Sequence, residues 1–147
     1  MFGEYFINTL KQFISMKICS RQLATTMKGR DLHYWTSNGP NYGFYVATID
    51  DLVVGTISFK ADEESLEFFR LSTDKEFRNL GIATALLKKI EEVAGELGCS
   101  KVKLDTSNAQ IPAMKLYQRL GYKTVGQSHY ILGSDFLIVV FYEKCIK

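Results

Sequence analysis

Apolar positions along the 147-residue chain change period part-way through. Near the start, Phe6, Leu10, Phe13 and Ile14 fall at helical spacing, with Glu4, Lys11 and Lys17 elsewhere. That spacing predicts an amphipathic helix over residues 4–18, packed on a core. Residues 36–43 (Thr-Ser-Asn-Gly-Pro-Asn-Tyr-Gly) are rich in turn formers and predict a connector. Residues 43–49 and 52–60 then flank Asp50-Asp51 and read as a β-hairpin, and residues 66–73 as a third strand after the acidic turn Asp62-Glu63-Glu64-Ser65.

The period then lengthens. Ile82, Leu86, Ile90, Val93 and Leu97 recur every three or four residues, with Lys88, Lys89, Glu91, Glu92 and Glu96 between them. This predicts a long helix that Gly98 stops. A short strand over 101–105 and a helix over 111–120 follow, with Pro112 in its first turn and Gly121 at its end. Two last strands, 122–127 and 136–142, surround the turn Gly133-Ser134-Asp135. Antiparallel strands, one strand–helix–strand crossover and a closing hairpin predict a mixed α/β (α+β) sheet with helices on its faces. The length suits one domain, residues 1–147.

Composition narrows the function. Eighteen Lys and Arg against 16 Asp and Glu give a net charge of +2, too small to draw nucleic acid, a membrane surface or a polyanion. Ten Phe, eight Tyr and one Trp exclude global disorder. Cys19, Cys99 and Cys145 stand far apart, no C-x-x-C pair occurs, and only His33 and His129 are present to join a cluster. Reduced thiols and no metal are therefore expected, as is a cytoplasmic setting. Apolar runs fall far short of the roughly 20 residues that span a bilayer. The first residues lack the basic and small-residue features of a signal peptide.

Chemistry concentrates in Leu71-Ser72-Thr73-Asp74-Lys75-Glu76-Phe77-Arg78-Asn79-Leu80-Gly81-Ile82-Ala83. A strand ends, a polar loop follows, and the long helix begins. A helix N-terminus presents unpaired N–H groups and the positive end of its dipole, which suits phosphate. Gly81 allows close backbone approach, Ala83 keeps the first turn slim, and Arg78 adds charge. By itself, the same pattern also describes a plain strand–loop–helix joint.

Arg78, Gly81 and Ala83 match the Gln/Arg-x-x-Gly-x-Gly/Ala signature of the GCN5-related N-acetyltransferase (GNAT) superfamily, in the same strand–helix setting. Ala113, Leu116-Tyr117 and Gly121-Tyr122 resemble that family's next-helix run, and the resemblance covers residues 43–143. Leu104-Asp105-Thr106, Gln110, Ala113-Met114, Leu116-Tyr117-Gln118, Gly121 and Gly126-Gln127-Ser128 resemble its camello branch. Three features depart from the pattern. No upstream membrane segment is present, the usual opening strand is not evident, and Gln110 stands where many members have Asn. Membrane association is expected only if a native upstream segment precedes this sequence.

The resemblance implies a GNAT-type, mostly antiparallel sheet with helices on both faces. Residues 1–42 would form a helical acceptor-side region, and residues 43–143 an acetyl-CoA-binding core. It implies direct acetyl transfer to a primary amine in a ternary complex, on a small-molecule acceptor of amino-acid or cysteine-conjugate type. The alternatives are acetylation of a protein N-terminus or lysine, or acyl-CoA binding without turnover. No metal is implied, and a homodimer is left open. The pyrophosphate would rest on residues 78–84 (Arg78, Asn79, Leu80, Gly81, Ile82, Ala83, Thr84), and the pantetheine arm beside Leu71, Ser72 and Thr73, with Gln110 and Tyr117 completing the site. The Leu71 N–H would stabilise the oxyanion. Tyr117 would protonate or hydrogen-bond the departing thiolate.

Glu67 is the candidate base for the acceptor's ammonium proton, against water and against a plain solvent-facing carboxylate. Arg70, read on the strand face of Phe68 and Ser72, pairs with an acceptor carboxylate or with Glu63 or Glu64 as a surface bridge. His129 and Tyr130 would sit on an acceptor-side loop, and Cys99 in the core. His33-Tyr34-Trp35 would line the acceptor pocket or pack the N-terminal helices.

Overall fold

The structure, a computed structural model, describes residues 15–18 and 41–147. Strands β2 (Tyr42–Ile49) and β3 (Leu52–Ala61) form the expected hairpin. Asp50 and Asp51 at its tip take φ values of 49° and 63°, the left-handed pair that matches the twist of the flanking strands. Before β4 (Ser65–Thr73) the Asp62 carboxylate accepts the backbone N–H groups of Ser65 and Glu64, both at 2.8 Å. Those two bonds hold its carboxyl below the usual range.

Helix α1 (Ile82–Glu96) turns Ile82, Leu86, Leu87, Ile90, Val93 and Ala94 into the core. It closes with Gly98 at φ 82° and a bond from the Cys99 N–H to the Ala94 carbonyl, 2.9 Å. After β5 (Lys101–Ser107), helix α2 (Ile111–Arg119) closes the same way, with the Tyr122 N–H on the Tyr117 carbonyl at 2.9 Å. The chain ends in a hairpin of β6 (Lys123–Leu132) and β7 (Asp135–Cys145), several residues longer than the alternation predicts. His129 and Tyr130 therefore belong to β6 and not to a loop.

The predicted helix over 4–18 is corrected at its end. Ser15–Ile18 is a strand, β1, paired antiparallel with β2 from Ser15–Thr48 to Ile18–Tyr45. It is the first strand among the described residues, and the sequence does not make it evident. Its partner is the otherwise open edge of β2, and helical spacing within a segment carries no information about such a pairing. The rest of 4–18, and His33-Tyr34-Trp35, lie outside the described residues.

The seven strands among the described residues form one sheet in the order β1-β2-β3-β4-β5-β7-β6, antiparallel except for β4 beside β5. α1 and α2 pack on the same face. Leu86, Leu87 and Ile90 meet Ile57 and Leu66 in the core, and Tyr117 meets Phe68 and Tyr142. Phe44 and Val46 are buried as well, pointing to the other face of β2. Cys99 is fully buried, and burial pushes its thiol up, as suits an inert core residue. A latch ties α1 to the far strands: the Glu91 carboxylate accepts from Lys144 Nζ at 2.8 Å and from the Tyr122 hydroxyl at 3.2 Å.

Helix α1 sits close to β3 because Gly55 has no side chain. A Cβ there would stand 2.7 Å from Ile82 Cγ2, 3.0 Å from Leu86 Cδ1 and 3.2 Å from the Ser72 carbonyl. Gly55→Ala is expected to destabilise the fold by about 1–3 kcal/mol, the usual cost of overpacking. Denaturant titration should show a lower midpoint at unchanged slope. A midpoint equal to wild type would mean that α1 steps back freely.

Candidate active site

β4 and β5 pair only over Ser65–Lys101, Leu66–Val102 and Glu67–Lys103, then separate. A bulge accompanies the split. Thr56 opposes Ser72 while Ser58 opposes Phe69, so β4 carries one more residue than β3 across this stretch. Arg70 within it takes φ 53°, an uncommon conformation for a residue with a side chain. The buried Ser58 hydroxyl holds the bulge by donating to the Phe69 carbonyl at 3.1 Å. The bulge also corrects the simple alternation expected of Arg70: Phe68 is buried, whereas Arg70 and Ser72 are exposed.

The split encloses a cavity of about 500 Å³. β4 supplies Phe68, Phe69, Arg70 and Leu71, β5 supplies Asp105, Thr106 and Ser107, and Gln110 and Tyr117 close one side. A second cleft of about 460 Å³ runs from Leu71 and Thr73 past the start of α1 and along α2. Arg78, Asn79, Gly81, Ile82, Ala83 and Thr84 line one wall, and Pro112, Ala113, Lys115, Leu116 and Arg119 the other. The two cavities share Leu71, Gln110 and Tyr117. Of the residues singled out for a cofactor, only Ser72 and Leu80 line neither.

The start of α1 opens onto this cleft. Gly81 caps it at φ 82° with no side-chain cap, and a Cβ there would meet nothing within 4 Å. The Ala85 N–H bonds back to the Gly81 carbonyl at 3.0 Å. The N–H groups of Ile82, Ala83 and Thr84 have no acceptor within the helix, and the dipole adds its positive end. Asn79, also left-handed at φ 63°, turns the loop across this end. Arg78, Lys115 and Arg119 place three cations around the cleft.

Tyr117 is 6% exposed and sits in a cluster with Phe68, Tyr122 and Tyr142, ring centres 5.9–6.1 Å away. Burial, with a smaller effect of Tyr142, pushes its phenol up to about 12. Tyr122 is raised further, by burial and by the Glu91 carboxylate. Beneath them the Tyr142 hydroxyl is buried with no hydrogen-bond partner.

Glu67 does not share the cavity with Tyr117. It is level with Lys103 at the last pair before the split, lines a separate depression with Phe141 and Glu143, and lies 3.8 Å from Lys60 Nζ. The carboxylate in the cavity is Asp105, further along β5. Sequence reasoning quoted Asp105 in a motif and gave it no role, because its position relative to Tyr117 depends on where the strands part. Glu64, offered as a partner of Arg70, faces Lys101 at 3.6 Å. His129 stacks edge-on with Phe136 and bonds the Gln127 amide at 3.1 Å. Among the described residues, no group of three or more His, Cys, Asp or Glu is placed to hold a metal, and no helix is long and apolar enough to cross a membrane.

Comparison with known proteins adds the decisive observation. The model of the acetyltransferase (GNAT) family matches residues 11–122, most of the chain. The chain belongs to the GNAT family. Its relatives place it in the family's camello-like branch. Human N-acetyltransferase 8B is 45% identical over 93 residues, 59% of this chain and 41% of that protein. Human N-acetylaspartate synthetase is 35% identical over 128 residues, 84% of this chain and 42% of that protein. A Xenopus tropicalis protein of the camello N-acetyltransferase name is 37% identical over 110 residues, 72% and 49%. The chain thus spans about half the length of the curated relatives it matches. Among solved structures, an acetyl-CoA complex of a Bacillus anthracis protein described as a streptothricin acetyltransferase superposes with a TM-score of 0.83. Identity is 14%, with 90% of this chain and 97% of that one covered. The ribosomal-protein-S18-alanine N-acetyltransferase of Escherichia coli superposes at 0.77 and 12% identity, covering 91% and 94%. Both share the GNAT fold.

The buried phenols make GNAT-core stability sensitive to alkali. In the unfolded chain a tyrosine ionises near 10, and in the folded chain Tyr117 ionises near 12. Between those values the unfolded state holds fewer protons, so stability falls as pH rises, by on the order of 3 kcal/mol for Tyr117 alone. Below pH 10 this contribution is fully present. Denaturation monitored alongside phenolate absorbance is expected to show Tyr117 and Tyr122 ionising only as structure is lost. Ionisation of Tyr117 and Tyr122 near pH 10 in the folded protein would contradict it.

Proposed function

We propose that this chain is an acetyl-CoA-dependent N-acetyltransferase acting on the primary amine of a small molecule, of amino-acid or cysteine-conjugate type. One observation carries the reading: the cleft at the start of α1 and a second cavity meet at Leu71, Gln110 and Tyr117. Direct transfer needs a donor and an acceptor to reach one point from two openings, and these clefts provide that point. The name of one relative, N-acetylaspartate synthetase, supports an amino-acid acceptor.

The residues fit the donor. The N–H groups that open α1, the open space before Gly81 and the side chain of Arg78 suit a pyrophosphate. Past Glu67, β4 has no ladder partner on its β5 side, so its backbone can pair with an extended amide-bearing arm. When bound, acetyl-CoA supplies an activated acyl group and a good leaving group. The Leu71 N–H, at the junction of the clefts, would donate a hydrogen bond to the acyl oxygen as negative charge develops on it. The phenol of Tyr117 keeps its proton at neutral pH. At about 12 it is a weaker acid than a thiol near 8.5, so complete transfer to sulfur runs uphill by on the order of 5 kcal/mol. Tyr117 therefore acts as a hydrogen-bond donor to the departing sulfur. Overall, an ammonium acceptor loses two protons, the new C–N bond replaces C–S, and one of those protons ends on the thiol.

Acetyl-CoA at 100 times its Kd is expected to stabilise the folded protein by about 2.7 kcal/mol, read as a rise in Tm, with a similar rise for CoA. Tyr117→Phe should retain that rise and lose about 10- to 100-fold in kcat, the worth of one charge-assisted hydrogen bond. Thiol release with a panel of amines measures the second effect. No Tm change with either CoA form would overturn the reading.

A further inference from the structure

Within the reading above, the acceptor's own contacts are unassigned, and the cavity in the split contains two opposite charges. Arg70 reaches it from β4 and Asp105 from β5, while the remaining polar lining is Thr106, Ser107, Gln110 and Tyr117. We propose that Asp105 receives the acceptor's ammonium and takes its proton, and that Arg70 binds the acceptor's carboxylate, so the cavity selects amino acids over simple amines. This rests on the acetyltransferase reading and adds two residues and a selection rule to it.

Three observations converge on the pair. The first is position. The last β4–β5 pair is Glu67–Lys103, so Asp105 stands beyond it, where the strands have parted and a ligand can enter between them. Glu67 precedes the split and is already within 3.8 Å of Lys60 Nζ. The second is backbone. Arg70 is held at φ 53° in the bulge, and Ser58 pins the carbonyl just before it. A strained residue fixed from behind by a buried hydroxyl is what a site needs to aim one side chain. The third is charge balance. One guanidinium and one carboxylate match the two charges of a zwitterion, and a fork-shaped donor suits a carboxylate bidentately.

The proton step balances within the site. The ammonium gives one proton to the Asp105 carboxylate, leaving a neutral amine and a carboxylic acid, and the acid returns the proton to solvent after transfer. Among the described residues, two titratable groups line the cavity with Asp105. Arg70 lies across the split on β4 and Tyr117 on α2. Its register partner on β7 is Phe141, with Lys103 and Glu143 one pair back on the same strand faces, and Glu67 beside Lys103 on β4. Arg70 is the cation that lines the cavity, and it is the one assigned to the acceptor.

The test uses the full chain, with the protein L-amino acids, their carboxamides and their decarboxylated amines as acceptors, followed by thiol release. Wild type should prefer an amino acid over its carboxamide. Arg70→Asn, chosen because Asn tolerates the left-handed backbone, should raise the amino-acid KM roughly 10- to 100-fold. It should also erase the preference, leaving the acetyl-CoA-induced rise in Tm intact. Arg70→Lys, which keeps the charge, should restore part of the preference. Asp105→Asn should lower kcat/KM by about 100-fold or more and move its rising pH limb upward, because the amine must then lose its proton in solution. Glu67→Gln should leave that limb in place. Equal use of amino acids and carboxamides by wild type, or an unmoved limb in Asp105→Asn, would overturn the proposal while leaving the transferase standing. If no amine is turned over at all, both fall.

Discussion

The parting of β4 from β5 is the constraint on which the rest of this molecule depends. Two parallel strands that stayed paired would leave no cavity in the sheet and no free backbone edge. They separate because each has a stronger commitment elsewhere. β4 follows β3 through a bulge, and β5 stays on β7 along its whole length, from Lys101–Cys145 to Ser107–Val139. The open wedge is then filled from one side by aromatic rings, Phe68 from β4, Tyr117 and Tyr122 from α2 and its end, and Tyr142 from β7. Rings suit this task because they cover a wide gap with few rotatable bonds.

The same filling sets the chemistry. Tyr117 is buried by the rings that hold the wedge open, and that burial raises its phenol. A group in this state gives a hydrogen bond at neutral pH and does not compete as an acid with a thiol. The latch of Glu91, Tyr122 and Lys144 ties α1 to the strands on the far side of the wedge. The helix whose N-terminus faces the anion cleft is therefore anchored to the strand that carries Tyr142. A partly buried pair of this kind contributes less through net stability than through fixing one arrangement.

Local features were legible in the sequence, and features of spatial register were not. The β2–β3 turn, α1 with its Gly98 stop, and α2 with Pro112 and Gly121 follow from turn chemistry, period and caps, which act within a few residues. The strand–loop–helix joint at Arg78 to Ala83 was legible for the same reason: its geometry belongs to one helix end. Ser15–Ile18 was misread because its strand character comes from β2 and from nothing within the segment. His129 and Tyr130 were misread because β6 is long only while β7 lies beside it.

Glu67 and Asp105 show this limit most sharply. Both are strand carboxylates, both alternate with buried neighbours, and both fall in segments that resemble the family. Period 2 tells which face each occupies and says nothing of depth along the strand relative to a neighbouring one. That depth is set by where the parallel ladder ends. One pair of residues, Glu67 and Lys103, marks the boundary. A carboxylate level with it is held among the paired strands and meets Lys60. A carboxylate two positions beyond it stands in the opening with Arg70 and Tyr117. The difference in surroundings between two similar residues is thus a difference of one pleat repeat, at a split that a bulge on the other strand accompanies.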